Sequence, residues 1–185
     1  MGEVLKNIII ILGGPGSGKG TVATELMRGH EYNYIETGAL FRNLPDDSEV
    51  AQIMMRGDLI PDEKIFPLIE WEAQGPRDIL FDGFPRNVAQ AEWMLSYFNA
   101  NITALYLHIP ESVMIERIHN RLAQGSGRAD DARDEIVRRR LGTFKKETLP
   151  MIEFLQKATG VKFFEIDATL TIPKVFAEVK AKIKL

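Results

Sequence analysis

The sequence predicts an α/β protein with a mostly parallel sheet and its main ligand site at the carboxyl end of the first strand. Two observations carry this. Short apolar runs alternate with helical patterns along the whole chain, the signature of strands joined by crossover helices. The first run, Ile8-Ile9-Ile10-Ile11-Leu12, leads directly into Gly13-Gly14-Pro15-Gly16-Ser17-Gly18-Lys19-Gly20-Thr21, and helical spacing follows at Val22, Ala23, Leu26 and Met27. A Gly-x4-Gly-Lys string between a strand and a helix is a phosphate-binding loop.

The chemistry of such a loop needs these residue types. Glycines turn the backbone tightly enough for successive N–H groups to point at phosphate oxygens. The helix beginning near Gly18 adds its positive end. Lys19 supplies a mobile cation, and the hydroxyl of Thr21 can hold Mg²⁺. One departure stands out: a hydroxyl residue is expected directly after the lysine, and Gly20 intervenes before Thr21.

The remaining elements follow in order. Tyr32–Ile35 reads as a short second strand, with Glu36-Thr37-Gly38-Ala39-Leu40-Phe41-Arg42 turning out of it. Asp46-Asp47-Ser48 caps a helix over Glu49–Arg56 that stops at Gly57. Leu59-Ile60-Pro61-Asp62 opens another, with Ile65, Leu68, Ile69 and, at its edge, Trp71 on one face; Gly75-Pro76 breaks it. Asp78–Asp82 is a buried strand, Asn87 to about Phe98 a helix, and Ile102–Ile109 a further buried strand. Pro110-Glu111 starts the next helix, in which Val113, Ile115 and Ile118 are apolar. Gln124-Gly125-Ser126-Gly127 is a loop. A long helix from about Asp134 to Ala158 is expected to be adjusted near Gly142 and Pro150. Val161–Ile166 and Ile172–Ile183 are the last strand and helix.

Composition sets the outer bounds. A chain of 185 residues with 45% hydrophobic and 26% charged residues can bury one substantial core. A net charge of −3 argues against a nucleic-acid binder held by bulk electrostatics. With no cysteine there are no disulfides and no thiolate metal sites. Met1–Lys6 lacks a basic leader pattern and Ile8–Leu12 is too short to cross a bilayer, so a soluble cytoplasmic protein is expected. His30, His108 and His119 have no metal-ligand spacing. Trp71 and Trp93 are expected to pack in the core or an appended lobe.

Three constellations could carry chemistry. Asp82 closes an apolar strand, where an acid in a phosphate-loop protein usually holds Mg²⁺ or its water shell, and Gly83-Phe84-Pro85-Arg86 places an arginine just beyond it. Thr37-Gly38 with Arg42 is a strand-to-helix turn with an arginine one helical turn later. Arg117 and Arg121 share a helix face, Arg128 lies in Gly127-Arg128-Ala129-Asp130-Asp131, and Arg138-Arg139-Arg140 sits on the next helix. A solvated face would intersperse carboxylates, as Glu116, Asp134 and Glu135 partly do. The other reading is that guanidiniums converge on a phosphoryl group in transfer, where positioning and charge neutralisation dominate.

Taken together, Gly13–Thr21, Thr37-Gly38…Arg42, Gly57-Asp58-Leu59-Ile60, Asp82–Arg86 with Gln90, Arg117…Arg121, Gly127-Arg128…Asp130-Asp131 and Arg140 resemble the adenylate kinase family, in its order and over nearly the whole chain. The resemblance implies a P-loop NTPase fold with a five-stranded parallel sheet. Its core would be residues 1–36, 74–123 and 134–185, with a monophosphate-binding lobe at 37–73 and a short lid at 124–133. It implies reversible phosphoryl transfer from ATP·Mg²⁺ to AMP, and a monomer. Gly16, Ser17, Gly18, Lys19, Gly20 and Thr21 would bind the ATP phosphates, with Arg117 and the backbone near Leu170 at the ATP adenine. Thr37, Gly38, Arg42, Asp58, Leu59, Ile60, Gly83, Phe84, Pro85, Arg86 and Gln90 would hold AMP. Lys19, Arg86, Arg121, Arg128 and Arg140 would surround the phosphates, Arg121 on the ATP side and Arg128 and Arg140 reaching AMP. Thr21 and Asp82 would serve Mg²⁺ through water.

Departures from the family pattern leave alternatives. Glu36 stands where Ser is usual, Ala39 where Asp is usual, and the stretch between Arg42 and Gly57 is short. One extra residue after Asp131 puts Arg139 in competition with Arg140. Asn87 is a feature of UMP/CMP kinases, whereas Thr37 and Gln90 favour AMP, a glutamine amide being able to meet both a donor and an acceptor on adenine. A kinase for another small acceptor, and a non-catalytic nucleotide-binding regulatory protein, are the rivals from further afield.

Overall fold

The structure is a computed structural model that describes residues 5–42, 48–125 and 133–184. Five strands form one parallel sheet: β1 (Lys6–Leu12), β2 (Asn33–Glu36), β3 (Ile79–Asp82), β4 (Ala100–His108) and β5 (Val161–Asp167), in the order β2-β3-β1-β4-β5. The expected sheet is present. Ile8, Ile10, Ile11, Ile79, Leu80, Phe81 and Leu105 are fully enclosed. Helices cover both faces of these central strands, so their sequences are continuous apolar runs rather than alternating ones.

Register sets up the site. Ile11 pairs with Asp82, Asp82 with Glu36, and Leu12 with Tyr106, so the strands end side by side. The chain runs from central β1 to β2 and β3 on one side, then crosses to β4 and β5 on the other. This reversal opens the crevice in which open α/β sheets bind ligands.

Helix α1 (Lys19–Met27) follows β1, and α2 (Thr37–Arg42) grows directly from β2. Next come α3 (Glu49–Met55), capped by Ser48 Oγ accepting from the Ala51 N–H at 3.1 Å, and α4 (Asp62–Glu72). After β3, α5 (Val88–Tyr97) is capped by the Asn87 side chain, and α6 (Glu111–Ala123) follows β4. The long helix expected over about 134–158, adjusted near Gly142 and Pro150, is present as one unbroken helical run: α7 (Asp134–Thr143), a π-helical turn at Phe144–Thr148 and α8 (Leu149–Lys157). Pro150 has no N–H to donate, and the chain widens in the turn just before it. Helix α9 (Ile172–Ile183) completes the fold. No helix among the described residues is long and apolar enough to cross a membrane.

One packing expectation fails. Trp71 is 70% exposed, whereas Trp93 stacks on Phe66 and Tyr97 with ring centroids 4.5 and 4.7 Å away. Helix α4 and its C-cap bury Ile65, Ile69 and Ala73, a spacing of four. Trp71 is two residues from Ile69, about 200° around the helix, and therefore faces out.

Candidate active site

The phosphate-binding loop leaves β1 and wraps toward α6. Gly16 has φ of 75°, and a side chain there would begin 2.8 Å from the Met114 carbonyl oxygen, so only glycine lets the loop lie against α6. The Ser17 N–H donates to the Gly14 carbonyl at 3.2 Å, and Gly18 starts the first helical turn by accepting from the Val22 N–H at 3.1 Å. Ser17 Oγ is buried without a hydrogen-bond partner among the described residues, inside a loop whose chemistry is to bind oxygen anions. Lys19 folds back across the loop, its Nζ donating to the carbonyls of Gly13 at 2.8 Å and Gly14 at 3.0 Å.

This loop floors a cavity of about 900 Å³. Of the residues expected at ATP, Gly16, Ser17, Gly18, Lys19, Gly20, Thr21, Arg117, Arg121 and Leu170 all line it, and Arg140 joins them. Arg117 Nη2 donates to the Ala168 carbonyl at 2.8 Å, tying α6 to the loop after β5. Around it, Leu170 and Ile172 are large apolar residues left exposed, and Val175 and Phe176 continue the same wall. An apolar slot beside a guanidinium suits a flat aromatic base. Ile172, Val175 and Phe176 lie in the first turns of α9, where amphipathic spacing does not separate site from packing, and Leu170 lies just before it.

A second cavity, about 30 Å³, adjoins the first and is lined by Thr37, Gly38, Asp58, Leu59, Ile60, Gly83, Arg86 and Gln90 together with Phe41, Met54 and Ile65. Four residues line both spaces: Gly38, Leu59, Gly83 and Arg86. Arg86 alone among them is charged. Its Nε donates to the Gly83 carbonyl at 2.7 Å, which holds the guanidinium plane across the turn. A side chain on Gly83, whose φ is 87°, would begin 2.9 Å from both Arg86 Nη2 and Thr37 Oγ1. Glycine at this position makes room for both groups. Thr37 Oγ1 in turn donates to the Gly83 carbonyl at 2.9 Å.

Not every expected residue lines the small cavity. Phe84 is enclosed in the core beside Phe81 and Trp93 and lines neither cavity, while Pro85 lines the larger one. Arg42 ends α2, but its side chain lies outside the described residues, as do Arg128 and lid positions 126–132. The two competing arginines separate cleanly. Arg139 makes a two-pronged ion pair with Asp58, Nε to Oδ1 at 2.8 Å and Nη2 to Oδ2 at 2.9 Å, whereas Arg140 lines the large cavity. Asp58 thus reaches α7 with its side chain while lining the small cavity.

Asp82, buried at the end of β3, meets Glu36 across the strand pair, and the Tyr34 hydroxyl sits 3.3 Å from Asp82 Oδ2 and 3.4 Å from Glu36 Oε2. Burial, then the charges of Asp82 and Glu36, push the Tyr34 phenol well up, so it remains a proton donor to these carboxylates. Asp82 Oδ2 is 3.9 Å from where a Gly20 side chain would begin, and so faces the first turn of α1. Glu36, Asp82 and Thr21 offer only hard oxygen donors at the edge of the large cavity. That set fits Mg²⁺, which is commonly held by one or two carboxylates with water and phosphate oxygens.

Comparison with known proteins agrees with this geometry. The family model described as adenylate kinase matches residues 11–160. The adenylate kinase of Thermus thermophilus is 36% identical over 182 residues, covering 94% of this chain and 95% of that one. That of Thermosynechococcus vestitus is 37% identical over 190 residues (95% and 96%), and adenylate kinase isoenzyme 1 of Caenorhabditis elegans is 33% identical over 187 residues (95% and 87%). A phosphate loop on the central strand, two cavities meeting at one arginine, and matches spanning nearly the full length lead to one assignment: the chain belongs to the adenylate kinase family.

Proposed function

We propose that the protein transfers the γ-phosphoryl group of ATP reversibly to AMP, giving two ADP. The observation that carries this reading is the pair of adjoining cavities that share Arg86. The large one has room for a nucleoside triphosphate on the phosphate loop. The small one, lined by Thr37, Gly38, Asp58, Leu59, Ile60, Gly83, Arg86 and Gln90 among others, would receive the acceptor after widening, since about 30 Å³ is well below the several hundred Å³ of a typical ligand pocket.

In the reaction, an oxygen of the AMP phosphate attacks the γ-phosphorus and the bond to the β–γ bridging oxygen breaks, leaving ADP. Little covalent work falls to the protein. Lys19 exchanges its two neutral loop carbonyls for phosphate oxygens, a gain because the ammonium then meets an acceptor of opposite charge. Arg86, Arg121 and Arg140 neutralise charge from the two sides, and Arg128 belongs with them by its place in the family pattern. Mg²⁺, held near Thr21, Asp82 and Glu36, would supply charge neutralisation to the β- and γ-phosphates. Arg117 and Leu170 border the ATP base, while Thr37 and Gln90 read the acceptor base. Residues 124–133 act as the lid that excludes water; the adenylate kinase lid is itself a standing example of such gating.

Coupled-assay transfer from ATP·Mg²⁺ to AMP, CMP, UMP, GMP and dAMP tests the acceptor. AMP is expected to exceed the pyrimidine nucleotides in kcat/KM by at least about tenfold. A CMP or UMP preference would keep the chemistry and overturn the acceptor. ATP binding without turnover would favour a regulatory role.

The two neighbouring arginines give a second test. Arg140→Ala is expected to lower kcat about 100-fold, as loss of a charge-stabilising donor does. Arg139→Ala should change turnover less than about threefold, because its pair with Asp58 is partly exposed and contributes no more than about 1 kcal/mol. The reverse ranking would make Arg139 the phosphate ligand.

A further inference from the structure

We infer that Asp62 is a positioning residue that fixes which way round the Gln90 carboxamide faces, and thereby which purine the acceptor site admits. The inference rests on the AMP reading above. Gln90 is 2% exposed, and both ends of its side chain are tethered. Its Oε1 accepts from the Arg86 backbone N–H at 2.8 Å, and its Nε2 donates to Asp62 Oδ1 at 2.8 Å. Asn87 reinforces the arrangement from two sides: Nδ2 donates to the same Asp62 oxygen at 3.3 Å, and Oδ1 accepts from the Gln90 backbone N–H at 2.8 Å. A carboxylate oxygen can only accept and a backbone N–H can only donate, so the amide has one allowed orientation. A flip would set Nε2 against an N–H and Oε1 against a carboxylate.

Each amide atom has used half its capacity. One Nε2 hydrogen and one Oε1 lone pair remain on a side chain that lines the small cavity. They present a donor and an acceptor in a fixed order. Adenine offers an amino donor beside a ring-nitrogen acceptor, and hypoxanthine offers the reverse, a carbonyl acceptor beside a ring N–H. A locked amide matches one order and opposes the other. Asn87, the residue that pointed toward pyrimidine acceptors, is occupied as the α5 cap and as a second donor to Asp62.

The experiment compares AMP with IMP, which differs from AMP only at that edge of the base. The ratio of their kcat/KM values is measured in wild type, Asp62→Ala and Asp62→Asn. Removing one tether of the amide is expected to reduce the AMP:IMP ratio about tenfold. Asp62→Asn, which keeps a carbonyl acceptor, restores most of the ratio, and KM for ATP is the control that stays fixed. A merely structural role would lower the thermal midpoint and affect both nucleotides alike, so an unchanged ratio in folded Asp62→Ala overturns the inference. If Asp62→Ala does not fold, the side-chain amide resonances of Gln90 in the wild-type protein decide. A through-hydrogen-bond coupling between Gln90 Nε2 and the Asp62 carboxyl carbon supports the lock, and its absence overturns it. A wild type without AMP preference would instead overturn the acceptor reading itself.

Discussion

Lys19→Met is expected to lower kcat by two to three orders of magnitude while leaving the protein folded. Methionine keeps the length and apolar bulk of the lysine stem, so the packing between loop and α1 is largely preserved. What disappears is the ammonium group. In the structure it bonds the Gly13 and Gly14 carbonyls, two neutral acceptors on the loop itself. Losing those bonds bears on the fold of the loop rather than on turnover, and because the group is only partly buried water can replace it. In the transition state the same ammonium would face fully charged phosphoryl oxygens. Each factor of ten in rate corresponds to about 1.4 kcal/mol, so the expected loss of about 3–4 kcal/mol would arise almost wholly at the reacting phosphate. Steady-state kinetics with both substrates, together with a thermal melt, separate the two effects. Turnover within tenfold of wild type in a folded Lys19→Met would remove the phosphate loop from the catalytic assignment.

How much of this was legible in the sequence follows from range. The phosphate loop, the strand ends and the helix caps are local: Ile8–Leu12, Gly13–Thr21 and Ser48 carry their structural instructions within a few residues. The parallel order and the shared ends of Leu12, Asp82 and Glu36 follow from packing apolar strands between helices. Other features depend on distant partners. Nothing near Arg139 marks it as the partner of Asp58, 81 positions away, rather than as a phosphate ligand beside Arg140. Phe84 sits in a motif whose backbone borders the site while its ring belongs to the core. Asn87 reads as a specificity marker until its bonds to α5 and Asp62 are seen. Trp71 reads from helical spacing as the edge of an apolar face, yet its two-residue offset from Ile69 turns it about 200° away and leaves it exposed.

Arg86→Ala is expected to reduce kcat about 100- to 1,000-fold, and Arg86→Lys to recover only a small part of that loss. The outcome depends on which atoms are lost. The Arg86 backbone holds the site together independently of its side chain: the N–H donates to Gln90 Oε1 at 2.8 Å, and the carbonyl accepts from Thr148 Oγ1 at 2.9 Å. Both bonds survive truncation, so Gln90 and the π-helical turn keep their anchors. Arg86 borders both cavities, and its guanidinium is oriented by the Nε bond to the Gly83 carbonyl. A lysine can supply charge but not a planar fork that meets phosphates on two sides. The loss should therefore appear in kcat with either nucleotide saturating, and it should persist in high salt, because it reflects geometry at the transferring group rather than long-range attraction. If Arg86→Lys matches wild type, charge alone suffices at the junction. If Arg86→Ala turns over within tenfold of wild type, the phosphoryl group does not cross between the cavities at this residue, and Arg121 or Arg140 must hold the junction instead.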